Sequence, residues 1–138
     1  MAKPEMRLRA VGVIRSDLKD LDQCPKQNTG QAPSAVVEIK PEYAEAAEDI
    51  KVGQELLLFT WFHLSGREVL KVHPRGDQSR PLTGVFSTRS PARPNPIALH
   101  HVAVAAIDGL RITVDHLEAL DGTPVVDIKP AMRGRPHD

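Results

Sequence analysis

A chain of 138 residues is long enough to bury one hydrophobic core without metal or disulfide staples, and its lone Cys24 excludes an internal disulfide. The 18 basic side chains balance 18 acidic ones, which excludes bulk attraction as the basis of any nucleic-acid binding. No apolar run is long enough to span a bilayer and no signal-peptide pattern opens the chain, so a single cytoplasmic domain over residues 1–138, without membrane contact, is expected.

In chain order, Arg7 to Ile14 reads as the first strand, and Gln23 to Ser34, polar and broken by Pro25, Gly30 and Pro33, reads as a loop. A strand follows over Ala35 to Ile39. The one helix is predicted over Pro41 to Lys51, with Pro41 at the first helical position, Tyr43, Ala46, Ala47 and Ile50 on one face, and Gly53 to end it. Further strands are expected over Glu55 to His63, Arg67 to Val72, Ile97 to Ile107, Leu110 to His116 and Val125 to Ile128, each β-branched or apolar and bounded by Gly, Pro, Asp or Ser. Asp108-Gly109 is a candidate type I′ hairpin turn. In the strand before it, Ile97, Leu99, His101, Ala103, Ala105 and Ile107 share one face, and both faces are largely apolar, which suits a strand covered by barrel interior and a second subunit. Met132 to Asp138 reads as a frayed tail.

Charge is unevenly placed. From Lys71 to Arg93 there are five basic residues (Lys71, Arg75, Arg80, Arg89, Arg93) against Asp77, whereas Glu38 to Glu55 carries six acids against Lys40 and Lys51. One surface is therefore expected to attract phosphates locally. The stretch Thr88 to Pro96 holds three prolines, two arginines and an asparagine in nine residues. Pro91, Pro94 and Pro96 fix their own φ and push Ser90, Arg93 and Asn95 toward extended geometry, so the loop is stiffened before it meets any ligand. The prolines also lack N–H groups, leaving carbonyls, the arginine forks and the Asn95 amide as its recognition groups.

VGVIRS (Val11 to Ser16), TRSPARPNPI within Thr83 to His101, and DGTPVVDIKP (Asp121 to Pro130) stand in the order and at the spacing found in the TrmO-type, or TsaA-like, methyltransferases, which this chain resembles over roughly residues 11 to 130. The resemblance implies an all-β fold with one short helix, a single-sheet antiparallel β-barrel paired as a homodimer. It implies S-adenosylmethionine as cofactor and methylation of N6 of the threonylcarbamoylated adenosine in the tRNA anticodon loop. The cofactor positions it implies are Pro25, Lys26 and Gln27 in the early loop, His63, Arg89, Leu99, and Glu118, Ala119, Leu120, Asp121, Gly122 and Thr123. Lys26 stands where arginine is frequent, and Ala98 and His100 stand where the family commonly has glycine and serine. The chain ends soon after DIKP, without the C-terminal domain of some members.

The residues themselves agree with a rim site. No glycine-rich strand-to-helix loop is present, so a Rossmann-type cofactor site is excluded and the cofactor must meet loops. Glu118 and Asp121 offer carboxylates to a sulfonium or ammonium group, while Asp127 and Lys129 serve equally well as structural partners. Arg89 is read as the cofactor's anion contact, with Arg93 and Asn95 orienting the target base. The six histidines do not make a metal site: His100 and His101 point to opposite faces of a strand, and no zinc-like spacing occurs. Cys24 lacks a predictable base, and Trp61 and Phe62 read as core and wall residues. Three functions stay open: an RNA methyltransferase, a non-catalytic S-adenosylmethionine-binding or sensor protein, and an interaction barrel whose proline loop docks a protein.

Overall fold

The computed structural model describes residues 5–17 and 34–132, which are mostly β with one short helix. The elements are β1 (Gly12–Arg15), β2 (Ser34–Ile39), α1 (Ala44–Ala47), β3 (Glu55–Trp61), β4 (Lys71–Val72), β5 (Thr83–Gly84), β6 (Ile97–Asp108), β7 (Arg111–Asp115) and β8 (Pro124–Pro130). Six of the strands close into a barrel in the order β1-β2-β7-β6-β3-β8, every neighbouring pair antiparallel. The expected single sheet is joined by a second, two-stranded one formed by β4 and β5.

Alternation along the strands fills the barrel. Leu56, Leu58 and Thr60 of β3 turn inward opposite Val102, His100 and Ala98 of β6, and Ile14, Val37, Val114 and Val125 complete a continuous apolar core. Full burial of a side chain such as Leu58, 0% exposed, contributes about 1.5–3 kcal/mol. These buried side chains make up the barrel interior.

Several boundaries differ from the sequence reading for identifiable reasons. The first strand begins at Gly12, not Arg7. The strand expected over Arg67 to Val72 survives only as Lys71–Val72, because its partner β5 follows Pro81, which has no N–H, and runs at once into a 3₁₀ turn over Val85–Ser87. The helix shrinks to a 3₁₀ turn over Pro41–Tyr43 followed by the four residues of α1. It has no side-chain cap, and the acids Glu48 and Asp49 just beyond it oppose the helix dipole. The hairpin turn uses Gly109 and Leu110, since Asp108 already pairs with Arg111. A φ of +60° falls on Gly109 alone of the two, the type II′ pattern in place of type I′.

Two bulges re-aim side chains. Val104 pairs with Val114 but Ala106 pairs with Thr113, so Ala105 is the extra residue and Ile107 swings to the side of Ile112. The single face predicted from Ile97 to Ile107 therefore stops at Ala103. In β8 the shift between Phe59↔Asp127 and Thr60↔Val125 leaves Val126 extra, and Asp127 accepts from the N–H of Ile128 at 2.9 Å.

Candidate functional site

An all-antiparallel ring dictates which loops meet. β1, β3 and β7 end, and β2, β6 and β8 begin, at one rim. The connections 16–33, 62–96 and 116–123 all leave that rim. Nearly every residue singled out in the sequence lies on one of these three; Leu99 lies three residues into β6. Pro25, Lys26 and Gln27 lie outside the described residues, as does Cys24.

The proline loop is built around two arginines. Arg93 donates from Nη2 to the Val85 carbonyl at 2.8 Å and from Nη1 to those of Thr88 and Ser90, both at 3.1 Å. Its own N–H donates to Gly66 O at 3.0 Å. Hydroxyls finish the turn: Thr88 Oγ1 donates to Val85 O at 3.0 Å and accepts from the Ser90 N–H at 3.1 Å, and Ser90 Oγ accepts from the Ala92 N–H at 3.2 Å. Arg67 holds the far end, donating from Nε to Pro94 O at 2.7 Å and from Nη2 to Asn95 Oδ1 at 2.9 Å, while its guanidinium lies 5.2 Å from the Trp61 ring centre. Two readings change. Carbonyls that the prolines seemed to leave for a ligand are taken up within the loop. Arg93, expected to orient a base, donates its fork to carbonyls of the loop itself. Arg67 was legible only as a strand residue; its place beside Gly66, which breaks the strand pattern, was the available signal.

The turn after β7 is tied to the end of β1. His116 adopts φ +68°, in the left-handed region, and Gly122 adopts φ +87°, a conformation that favours glycine. Asp121 Oδ1 accepts from the Ser16 N–H at 3.0 Å, Ser16 Oγ donates to Ala119 O at 2.6 Å, and the Gly122 N–H donates to Ile14 O at 2.7 Å. Thr123, 2% exposed, donates from Oγ1 to Leu120 O at 2.7 Å. Ala119 and Thr123 are thus buried anchors, while the side chain of Glu118 is exposed and Leu120 and Asp121 are half-buried.

Of the remaining positions, His63 is exposed just past β3, its N–H donating to Trp61 O at 3.0 Å. Leu99, 41% exposed, pairs with Phe59 and shares the barrel's outer face with Ile97. Arg89 is exposed and makes no hydrogen bond among the described residues. On the inner side, Thr60 Oγ1 and His100 Nε2 are 3.0 Å apart, and burial holds the His100 imidazole below its ordinary pKa. Phe62 meets that ring edge-on at 6.2 Å. Among the described residues no cluster of three or more His, Cys, Asp or Glu could hold a metal ion, and no helix is long and apolar enough to cross a membrane.

The profile of the family described as tRNA-methyltransferase O N-terminal domain matches residues 13–134. A protein of Methanothermobacter thermautotrophicus named probable S-adenosyl-L-methionine-binding protein is 42% identical over 130 residues, 94% of this chain and 93% of the relative. A likewise named protein of Pyrococcus horikoshii is 50% identical over 97 residues, 67% of this chain and 69% of the relative. A crystal structure of TrmO from Pseudomonas aeruginosa is similar at a TM-score of 0.72 and 28% identity, over 94% of this chain and 57% of that one.

Proposed function

The chain belongs to the tRNA-methyltransferase O N-terminal domain family, and from that premise we propose that it binds S-adenosylmethionine at the barrel rim and transfers its methyl group to N6 of an adenine in RNA, the threonylcarbamoylated adenosine of the tRNA anticodon loop. The observation that carries this reading is that the connections 62–96 and 116–123 leave the same rim above a filled barrel, each stapled by its own hydrogen bonds. The reading carries with it a cytoplasmic location, where tRNA is modified.

The donor set suits the cofactor. Glu118 and Asp121 provide negative charge for its ammonium and sulfonium, Arg89 a guanidinium for its carboxylate, and Leu99 and Leu120 apolar surface for its adenine; His63 stands on the same rim, and Pro25, Lys26 and Gln27 are the early-loop contacts that the family resemblance implies. S-adenosylmethionine would supply an electrophilic methyl carbon on a sulfonium: the N6–methyl bond forms as the sulfur–methyl bond breaks, S-adenosylhomocysteine leaves as a neutral thioether, and one N6 proton is lost to water, so no strong acid or base is asked of the protein. The chain's task is alignment and exclusion of water. Asn95 is the residue set to orient the base: Arg67 fixes its amide through Oδ1, and one further lone pair and two N–H donors remain for a base edge. Arg93 keeps Asn95 in place by holding the preceding turn.

The same reading takes the protein to act as a two-fold homodimer. Leu57, Phe59, Trp61, Ile97 and Leu99 form an apolar outer face on β3 and β6, and an isologous contact across it brings the rim of one subunit toward that of the other. A second reading, cofactor binding without transfer, is favoured by one observation: the two archaeal relatives carry names that state binding and no reaction.

Labelled S-adenosylmethionine and tRNA from cells lacking the gene separate the two. The methyltransferase reading expects label in tRNA, Arg89→Ala weakening cofactor binding about tenfold or more, and Asn95→Ala leaving cofactor affinity intact while lowering kcat and kcat/KM together. Cofactor binding with no label in any RNA selects the binding-only reading. No calorimetric heat with either S-adenosylmethionine or S-adenosylhomocysteine overturns both.

A further inference from the structure

The β4–β5 ribbon and the proline loop enclose an open cleft of about 1110 Å³, lined by Lys71, Arg75, Arg80, Arg89 and Phe86 among others. This exceeds the roughly 300–1,000 Å³ of an ordinary small-ligand pocket, and its shape is that of a groove, not a closed cavity. We infer that it is the track for a single-stranded segment of RNA, with Phe86 as a platform on which one unpaired base stacks and Lys71, Arg75 and Arg80 as phosphate contacts. The inference rests on the RNA-methyltransferase reading for the identity of its ligand and assigns a second contact region beside the reacting rim.

Phe86 is the central observation. The ring is 82% exposed, although its neighbour Val85 is 2% exposed and pins the 3₁₀ turn that carries both. An exposed phenylalanine held on a short turn presents its ring face to a flat partner such as a base. The Arg93 guanidinium lies 6.0 Å from the ring centre and is itself fixed by three carbonyls, so the ring's mount is held from behind. Base stacking on an aromatic ring tolerates any base, because every base has a π-face.

Charge supplies the occupant's class. Between residues 71 and 93 the sequence has five basic residues against Asp77, in a chain with no net charge; with Arg93 spent on loop carbonyls and Arg89 assigned to the cofactor, Lys71, Arg75 and Arg80 remain for phosphate. Asp77 is already engaged: Oδ1 accepts from Ser79 Oγ at 2.6 Å and from the Ser79 N–H at 2.9 Å, and these bonds hold its carboxyl below the usual range. Arg80 lies 3.7 Å from its other oxygen, a contact too long and too exposed to neutralise the guanidinium. His73 donates from Nδ1 to Arg80 O at 2.8 Å, which ties the ends of the ribbon's tip together. At that tip Arg75 sits at φ +56°, a left-handed conformation costly for a non-glycine residue, which turns its side chain into the cleft lining. Cations along a groove with one exposed ring among them match a phosphate backbone carrying unstacked bases, the state of an anticodon loop.

The test uses the full chain, saturating S-adenosylhomocysteine and a fluorescent anticodon stem-loop RNA in anisotropy titrations at several salt concentrations. Phe86→Ala should weaken RNA binding by about tenfold or more, and Phe86→Trp should restore it. Arg80→Ala should weaken binding several-fold and reduce the slope of log affinity against log salt by about one. Calorimetric affinity for S-adenosylhomocysteine should not change in either variant. If the parent methylates RNA while Phe86→Ala and Arg80→Ala bind RNA as the parent does, the groove inference fails and the enzymatic reading stands. If the parent methylates no RNA but the variants lose RNA binding as stated, the groove stands and the enzymatic reading fails. A parent that binds no RNA, or a Phe86→Ala variant that dissociates a dimer by light scattering, overturns the groove in favour of no nucleic-acid role or of a protein interface.

Discussion

Replacing Arg93 by alanine tests how the proline loop is built. The wild-type guanidinium donates to the carbonyls of Val85, Thr88 and Ser90 at 2.8, 3.1 and 3.1 Å. A hydrogen bond involving a charged group is worth about 1.5–3 kcal/mol. Three such bonds on one half-buried side chain do not add, because they share a donor and water reaches the vacated carbonyls. A loss of about 2–4 kcal/mol from the ordered loop follows, or roughly 5–15 °C in Tm for a domain of this size if loop and barrel melt together. If the loop opens alone, its own opening free energy caps the change, and the loss shows as faster hydrogen exchange over residues 88–95 with little movement of Tm. Arg93→Lys keeps the charge but cannot reach three carbonyls with one ammonium, and should recover less than half of the loss. Differential scanning calorimetry and exchange mass spectrometry on the same preparations read both quantities. An Arg93→Ala protein with parental Tm and parental exchange over 88–95, yet without turnover, would refute the loop-building role and return Arg93 to the substrate.

Three further outcomes are expected. Because burial depresses the folded-state pKa of His100, the unfolded chain binds the extra proton first, so the stability due to its neutral form is present above about pH 6.5 and is lost as pH falls toward the lower folded value; His100→Ser should flatten the Tm profile between about pH 7 and 5. Asp121→Asn keeps an acceptor for the Ser16 N–H, and removal of the charge should weaken S-adenosylmethionine several-fold more than it weakens the neutral-sulfur product S-adenosylhomocysteine; equal weakening would show that Asp121 is not read by the sulfonium. Ile97→Asp, on the apolar outer face at 39% exposure, should move the light-scattering mass from twice the chain mass to the chain mass without loss of the fold, and an unchanged mass would exclude that face as the interface.

The strands were legible wherever alternation is strict and both neighbours are long. Glu55 to Trp61 and Arg111 to Asp115 fall within the runs read from sequence, since one-residue alternation of buried and exposed side chains leaves a single register. What alternation could not reveal is a place where it is broken on purpose: nothing in Val104-Ala105-Ala106 marks Ala105 as extra, because three small apolar residues satisfy either phase. The site divides the same way. Pro91, Pro94 and Pro96 announced a loop of restricted backbone, since proline acts on its own φ, and the structure shows that loop cross-linked by side-chain hydrogen bonds. The destination of the Arg93 and Arg67 forks depends on which carbonyls the fold brings within 3 Å or so, a non-local fact that composition does not carry. Phe86 was invisible for a further reason: a lone phenylalanine next to Val85 reads as core, and only the 3₁₀ turn sends one of the pair in and the other out.

The two ends of the barrel differ in what they connect, and this separates stability from specificity. At the far end β6 and β7 are joined through Gly109 and Leu110 alone, whereas the rim carries the connection 62–96. Closing a longer loop costs only about 0.6 kcal/mol per doubling of its length, so the barrel tolerates this excursion without a larger core. The excursion is nevertheless not slack. Arg67 clamps it over Trp61 of β3, the Phe62 N–H donates to Pro96 O at 2.8 Å at its two roots, and Asp121 and Ser16 lock the neighbouring turn to β1. Rim geometry is therefore inherited from strand ends that the core already fixes, and a core change such as Leu58→Ala, with its cost of about 2–5 kcal/mol, should disturb cofactor and RNA affinities together. A change confined to 71–86 should alter RNA affinity alone, so the ratio of the two effects reports which part of the chain a substitution has touched.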